Sequence, residues 1–176
     1  MQHSNDIIVR FGNMEDVETT LDIQSSVIAE SDYLLTTPEE NKKTLLEHKT
    51  WIQKRIKNDN ETYIVAQKDE KVIGFIAFEN GSNRKRTAHA GSFGLMVHKN
   101  FRGLGVGEML LTALLDWAEK KKNPSIEKVS LAVFSTNQKA ISLYKKMGFR
   151  EEGRKIKEFK ISEHEYWDDV LMYKLV

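Results

Sequence analysis

The chain has 176 residues, 40% of them hydrophobic and 30% charged, which predicts one globular domain spanning residues 1–176. Its 27 Lys and Arg against 26 Asp and Glu give no electrostatic case for a nucleic-acid or membrane partner, and no apolar run approaches the roughly 18 residues of a membrane-spanning helix. The absence of cysteine excludes disulfides, thiolate metal sites and acyl-cysteine chemistry, and we expect a cytoplasmic location.

The first part of the chain predicts a strand and two helices. Residues 7–11 form a short apolar run that is typical of a strand. A helix is expected from about Glu15 to Glu30, followed by a loop over residues 31–38. Pro38 suits the first turn of a second helix, because proline lacks the N–H that this turn leaves unpaired.

A hairpin and a central strand are predicted next. Residues 62–66 and 72–78 pair across the polar turn at 68–71. Residues 87–97 form the central strand, with Gly91 and Gly94 inside it. Because glycine in a strand marks a bulge or a close backbone approach, we expect one of these at this strand.

The most informative segment is the glycine-rich loop from Arg102 to Gly107. It lies between the apolar run 93–97 and an amphipathic helix whose apolar side chains recur every three or four residues from Val106 onward. Three alternate glycines before a helix expose consecutive backbone N–H groups at the positive end of the helix dipole. The loop therefore predicts a site for a phosphate or pyrophosphate.

Two common phosphate loops do not fit. A P-loop needs Lys followed by Ser or Thr after the last glycine, and this chain has Glu108 and Met109 there. A dinucleotide fold needs a glycine at the place of Glu108 and an acidic residue that ends the next strand. Glu127 would open that strand instead.

The pattern Arg102-x-x-Gly105-x-Gly107 after a strand resembles the acetyl-CoA signature of the GNAT superfamily of N-acetyltransferases. The segment 129–149 resembles a late segment of that family, in which a strand feeds a helix that ends in Tyr and then Gly-Phe. Residues 166–173 resemble the last strand of a branch that acts on amino acids, small amines or protein N-termini. The resemblance covers residues 60–176 well and residues 5–59 only loosely.

The resemblance implies a mixed α/β GNAT fold: a central, mostly antiparallel sheet with a splayed strand pair, flanked by about four helices, in which pantetheine enters the gap. It implies direct transfer of acetyl from acetyl-CoA to the primary amine of a small molecule such as an amino acid or a polyamine. A protein N-terminal acetyltransferase of the ribosomal-protein type and a non-catalytic CoA-binding module are the alternatives. No metal is expected, since the five histidines show no ligand spacing.

The resemblance also assigns the residues that bind the cofactor. Arg102 would pair with a phosphate oxygen, the alternative being a glycine-rich helix entry with a surface arginine. Asn137 would contact the cofactor amide or only cap its helix. Backbone N–H groups of Leu95, Met96 and Val97 would stabilise the thioester oxygen. The N–H groups that would hold the pyrophosphate belong to Gly103, Leu104, Gly105, Val106, Gly107 and Glu108.

Tyr144 resembles the family's general acid, which protonates the departing thiolate; the alternative is a tyrosine that only packs on the sheet. The general base is less well specified, because residues 87–98 contain no acid. Glu79 and His89 are the candidates, with a water chain as the alternative for both and a purely structural role as a further alternative for His89.

Two further expectations concern the surface. Glu30, Asp32 and Tyr33 lie where the family places substrate-facing helices, so they would meet a cationic amine or simply form a solvated loop. The aromatic residues of segment 166–173 predict a homodimer through the C-terminal strands.

Overall fold

The computed structural model of the chain describes residues 6–30, 33–81, 84–122 and 125–176. The strands of this part are β1 (Ile8–Phe11), β2 (Thr62–Lys68), β3 (Lys71–Glu79), β4 (Ala90–Val97), β5 (Lys128–Phe134), β6 (Arg150–Lys160) and β7 (Tyr166–Leu175). Its α-helices are α1 (Val17–Ala29), α2 (Leu45–Lys57), α3 (Val106–Lys120) and α4 (Gln138–Lys146).

All strands belong to one sheet, in the order β1-β2-β3-β4-β5-β7-β6. Every neighbouring pair is antiparallel except β4 and β5, which run parallel. That parallel pairing extends only over Ala90–Ser92 and Lys128–Ser130, after which the two strands separate. The expected mixed α/β architecture, with a mostly antiparallel sheet and a splayed strand pair, is thus confirmed.

The sheet carries a hydrophobic cluster on each face. Helices α3 and α4 cover the back face, where Ile76, Leu110 and Tyr144 are buried. Helices α1 and α2 cover the front face, where Ile52 and Phe75 are buried. Since side chains alternate along a strand, the exposed Ser92 and Gly94 lie on the front face of β4, opposite to Phe93.

Helix α2 begins later than the sequence predicted. The prediction that Pro38 lies in its first turn was wrong, because Pro38 forms part of a separate turn before it. Thr44 caps the helix: its side chain accepts a hydrogen bond from Glu47 N, and the Glu47 carboxylate accepts one from Thr44 N at 2.7 Å. This reciprocal pair satisfies two end groups and places the start at Leu45.

The predicted hairpin is confirmed, and its two turn residues, Asp69 and Glu70, both have positive φ. The central strand is shorter than predicted, since residues 84–89 form bends and turns. The expected close backbone approach occurs at Gly91, where a Cβ would collide with the Phe78 ring and with Glu79 O. Gly94 instead faces open space.

The C-terminal part contains the expected last strand, because residues 166–173 lie within β7. Gly148 ends α4 in the left-handed conformation, with φ +89°. Strand β6 forms the far edge of the sheet and is exposed along nearly its whole length. Among the helices in the described part of the chain, we find none with the length and apolar character to cross a membrane.

Candidate functional site

The loop between β4 and α3 depends on glycine at two places. Gly103 has φ +77° and Gly105 has φ +79°, a left-handed conformation that is costly for a residue with a Cβ. Nothing lies within 4 Å of where a Cβ would stand at either residue, so backbone conformation and not space requires glycine there. The two left-handed residues turn the chain from the end of β4 into α3.

This loop leaves a row of hydrogen-bond donors unused. The first bond of α3 runs from Met109 N to Gly105 O at 3.0 Å. No acceptor is found within the described ranges for the six N–H groups from Gly103 to Glu108. Donors of this kind at a helix N-terminus bind anions. Lys146 of α4 adds positive charge beside them, with its Nζ 2.6 Å from Glu108 Oε2.

The structure brings together Arg102 and Glu30, which the sequence assigned to the cofactor and to the substrate. Arg102 Nη1 and Nη2 donate to the two carboxylate oxygens of Glu30 at 2.6 and 3.0 Å. Arg102 Nε donates to Val97 O at 3.1 Å. Three of the five guanidinium N–H groups are thus engaged, which leaves one N–H on each Nη for a phosphate.

The gap between β4 and β5 exposes one backbone edge of β4. From Phe93 onward, β4 pairs with β3 on one side, and no described strand pairs with its other side. Alternate N–H groups of that edge therefore face the gap. The side chains of Leu95 and Val97 pack on the back cluster and that of Met96 on the front one, which leaves the main chain as the polar part of this segment.

Tyr144 lies beside this gap. Its ring packs edge-on against Phe93 and Phe149, with centroid separations of 5.8 and 6.0 Å. The side chain is buried, and its hydroxyl has no hydrogen-bond partner among the described residues. Burial raises the pKa of Tyr144 to about 12, so the phenol stays protonated and able to donate at neutral pH. Asn137 caps α4, accepting from Ala140 N at 3.2 Å.

Glu79 is the candidate base that lies nearest to the gap on the front face. It ends β3 directly opposite Ser92, the last β4 residue paired with β5. Its side chain is half exposed and forms an ion pair with the buried Arg55. No pattern in the sequence singles out Arg55, since a basic residue near a helix C-terminus is ordinarily solvated.

The other predicted residues are less central. The sequence predicted that His89 lies inside the central strand, but it lies in the turn before β4. Its carbonyl oxygen accepts hydrogen bonds from the backbone of Glu127 and Lys128. Tyr33 is exposed. Asp32 lies outside the described residues. No group of three potential metal ligands occurs in the part of the chain that the structure describes.

The C-terminal aromatic residues are only partly available for a dimer contact. Trp167 packs against Phe134 with ring centroids 5.7 Å apart, and Lys128 lies over the Tyr173 ring. Tyr166 is exposed. The homodimer stays a prediction.

Comparison with known proteins identifies relatives for most of this architecture. The family model described as the acetyltransferase (GNAT) family matches residues 28–149. An L-amino acid N-acetyltransferase of Escherichia coli, AaaT, is 29% identical over 112 residues, covering 64% of this chain and 67% of that protein. A spermidine N(1)-acetyltransferase of Vibrio cholerae is 29% identical over 118 residues, covering 67% of this chain and 65% of that protein.

A solved structure matches almost the whole chain. The GNAT-family acetyltransferase from Streptococcus pneumoniae superimposes with a TM-score of 0.88 at 26% identity, covering 97% of this chain and 100% of that one. The sequence alignments are shorter, spanning 43%, 67% and 64% of the length of three curated relatives.

Proposed function

The chain belongs to the GNAT acetyltransferase family, and on that basis we propose that it is an acetyl-CoA-dependent N-acetyltransferase that acts on the primary amine of a small molecule. The observation that carries the proposal is the loop from Gly103 to Glu108, whose six N–H groups have no acceptor among the described residues and lie next to the gap between β4 and β5. A pyrophosphate on that loop and an extended arm in that gap account for both features.

The residues of the loop bind the anionic part of the cofactor. Its N–H groups donate to phosphate oxygens, and the helix dipole of α3 adds to their attraction. The loop has room for such a group around two of its residues, because nothing lies within 4 Å of where a Cβ would stand at Gly103 or Gly105. Lys146 lies beside the loop, paired with the Glu108 carboxylate.

The residues at the gap act on the reacting centre. Acetyl-CoA, as the co-substrate, supplies an acetyl group activated as a thioester. Backbone N–H groups on the free edge of β4, within residues 95–97, stabilise the negative charge that develops on the thioester oxygen. Tyr144 donates its proton to the departing sulfur, for which its protonated, buried phenol is suited.

The acceptor amine approaches from the front face, where Ser92 and Gly94 are exposed and Glu79 is half exposed. The carboxylate of Glu79 binds the amine or accepts its proton. Amino acids and polyamines are the acceptor classes to test first, because the relatives in Escherichia coli and Vibrio cholerae are named for an L-amino acid and for spermidine.

The cofactor site is tested by a matched pair of variants, Gly105→Asp and Gly105→Asn. Both side chains tolerate the left-handed conformation, and they differ essentially in charge. The Asp carboxylate would occupy the anion site and repel phosphate, so calorimetry should show acetyl-CoA affinity weakened roughly tenfold or more relative to Asn. Equal affinities in two folded variants would show that the cofactor binds elsewhere.

The activity is tested by release of CoA in the presence of amino acids, polyamines, aminoglycosides and N-terminal peptides. The protein has no cysteine, so a thiol-reactive chromophore detects the released CoA without background from the protein itself. Turnover with a small amine supports the proposal. Turnover restricted to peptides would indicate an N-terminal acetyltransferase, and cofactor binding without turnover would indicate a CoA-binding module.

A further inference from the structure

Arg55 is a buried cation that the reaction outlined above does not use. Its side chain is 3% exposed, although it lies in the last turn of a surface helix. The guanidinium stacks over the Trp51 indole, 3.8 Å from the ring centroid, and its Nη1 donates to Trp51 O at 2.9 Å. These contacts fix its direction.

Packing alone does not account for an arginine at this place. Removing a guanidinium from water is costly, and burial lowers the pKa of Arg55, while Glu79 and Glu61 act in the opposite sense. Arg55 Nε has no hydrogen-bond partner in the described part of the chain. An apolar side chain would fill the same space without these costs.

The ion pair that Arg55 forms lies at the acceptor side of the gap. Its Nη2 donates to Glu79 Oε2, and Glu79 Oε1 accepts no hydrogen bond from any described residue. Because Glu79 ends β3 opposite Ser92 and is half exposed, its free oxygen is available on the same face as Ser92 and Gly94.

We propose that Arg55 is a positioning residue that holds Glu79 with one oxygen engaged and the other directed at the amine of the acceptor. The inference rests on the proposed function, since it requires an amine on the front face of β4. A carboxylate held by a side chain that is itself locked by packing loses little orientational freedom when the acceptor binds. The arginine therefore acts on acceptor binding and turnover through Glu79, and not on the cofactor.

A double-mutant cycle with Arg55→Met and Glu79→Gln tests the proposal, measured as kcat/KM for the amine found in the acceptor panel. Methionine is apolar and flexible, so it keeps much of the packing. We expect each single variant to lose roughly tenfold or more in kcat/KM, with acetyl-CoA affinity within about twofold of the parent. The double variant should be no worse than Glu79→Gln within about threefold, because Arg55 has no other route to the reaction.

Two further variants keep the test decisive if Arg55→Met does not fold. Arg55→Lys retains a charge without the planar fork and should recover only part of the activity. Lys54→Met is the matched control, because Lys54 is the exposed neighbour on α2 that pairs with Glu61. Its kcat/KM should equal that of the parent.

The outcomes separate the two proposals. Losses that multiply in the double variant, or an Arg55→Lys enzyme with parental kinetics, would overturn the positioning role in an otherwise active acetyltransferase. A parent protein that binds acetyl-CoA and acetylates no amine would overturn the proposed function and the role of Arg55 with it.

Discussion

Removing only the hydroxyl of Tyr144 separates its chemical role from its packing. In Tyr144→Phe the ring keeps its edge-on contacts with Phe93 and Phe149. The lost hydroxyl has no hydrogen-bond partner among the described residues, so no acceptor is left unpaired. We therefore expect the free energy of unfolding to be unchanged or to rise by up to about 1 kcal/mol.

The effect on turnover is expected to be large. Loss of a general acid lowers kcat by roughly ten- to a thousandfold, equivalent to about 1.4–4 kcal/mol of transition-state stabilisation. Tyr144→Ala differs, because it also removes a buried ring and should cost about 3–5 kcal/mol of stability. Acetyl-CoA affinity should be nearly unchanged in the Phe variant, which marks an interaction formed chiefly in the transition state.

The assay compares steady-state CoA release, acetyl-CoA affinity and urea unfolding for the parent and Tyr144→Phe. Tyr63→Phe is the matched control, because Tyr63 is a tyrosine buried in the front cluster away from the gap. Its kcat should equal that of the parent. A Tyr144→Phe enzyme within twofold of the parent, with chemistry shown to limit turnover, would refute the acid role.

Three further predictions concern stability and assembly. Burial depresses the folded pKa of His48 to about 4, below the 6.5 of the unfolded chain. The unfolded state therefore binds more protons between these values, and His48 should lower the free energy of unfolding by about 3 kcal/mol as the pH falls from 6.5 to 4. Urea unfolding of His48→Gln checks this, because the free energy of unfolding of that variant should fall less over the same pH range. Gly91→Ala should lower the melting temperature strongly, because its Cβ would collide with Phe78. Gly94→Ala should leave the melting temperature unchanged, because Gly94 faces open space. Similar melting temperatures for the two variants would contradict the close approach at Gly91. A homodimer through the C-terminal strands predicts a dimeric mass by light scattering at micromolar concentration, and a monomer would refute it.

The sequence predicted most strands and helices because their apolar periodicity is a local property. It also indicated a close backbone approach in the central strand, which occurs at Gly91, because glycine inside a strand marks such a position. The start of α2 was misplaced, since the proline at 38 suited a first turn while the reciprocal cap of Thr44 and Glu47 decided the register.

The sequence predicted the backbone N–H groups of the candidate site, but it did not predict which side chains pair with one another there. The glycines of the loop determine where N–H groups are left unpaired, so the sequence was sufficient there. The pairing of Arg102 with Glu30 joins residues 72 positions apart. That of Arg55 with Glu79 joins residues 24 apart, and both depend on how helices lie over the sheet. No local pattern encodes that packing.

Under the proposed function, with Arg102 at a cofactor phosphate and Glu30 at the acceptor amine, the contact between these two side chains would couple the binding of the two ligands. A phosphate that displaced Glu30 from the guanidinium would free its carboxylate for the acceptor, and by reciprocity an acceptor that engaged Glu30 would raise the affinity for the cofactor by that same factor. The two side chains are 44% and 24% exposed, and a pair in such surroundings contributes about 1 kcal/mol at most. The mutual enhancement is thus bounded at about fivefold, and it applies equally to the affinity for the cofactor and to the affinity for the acceptor.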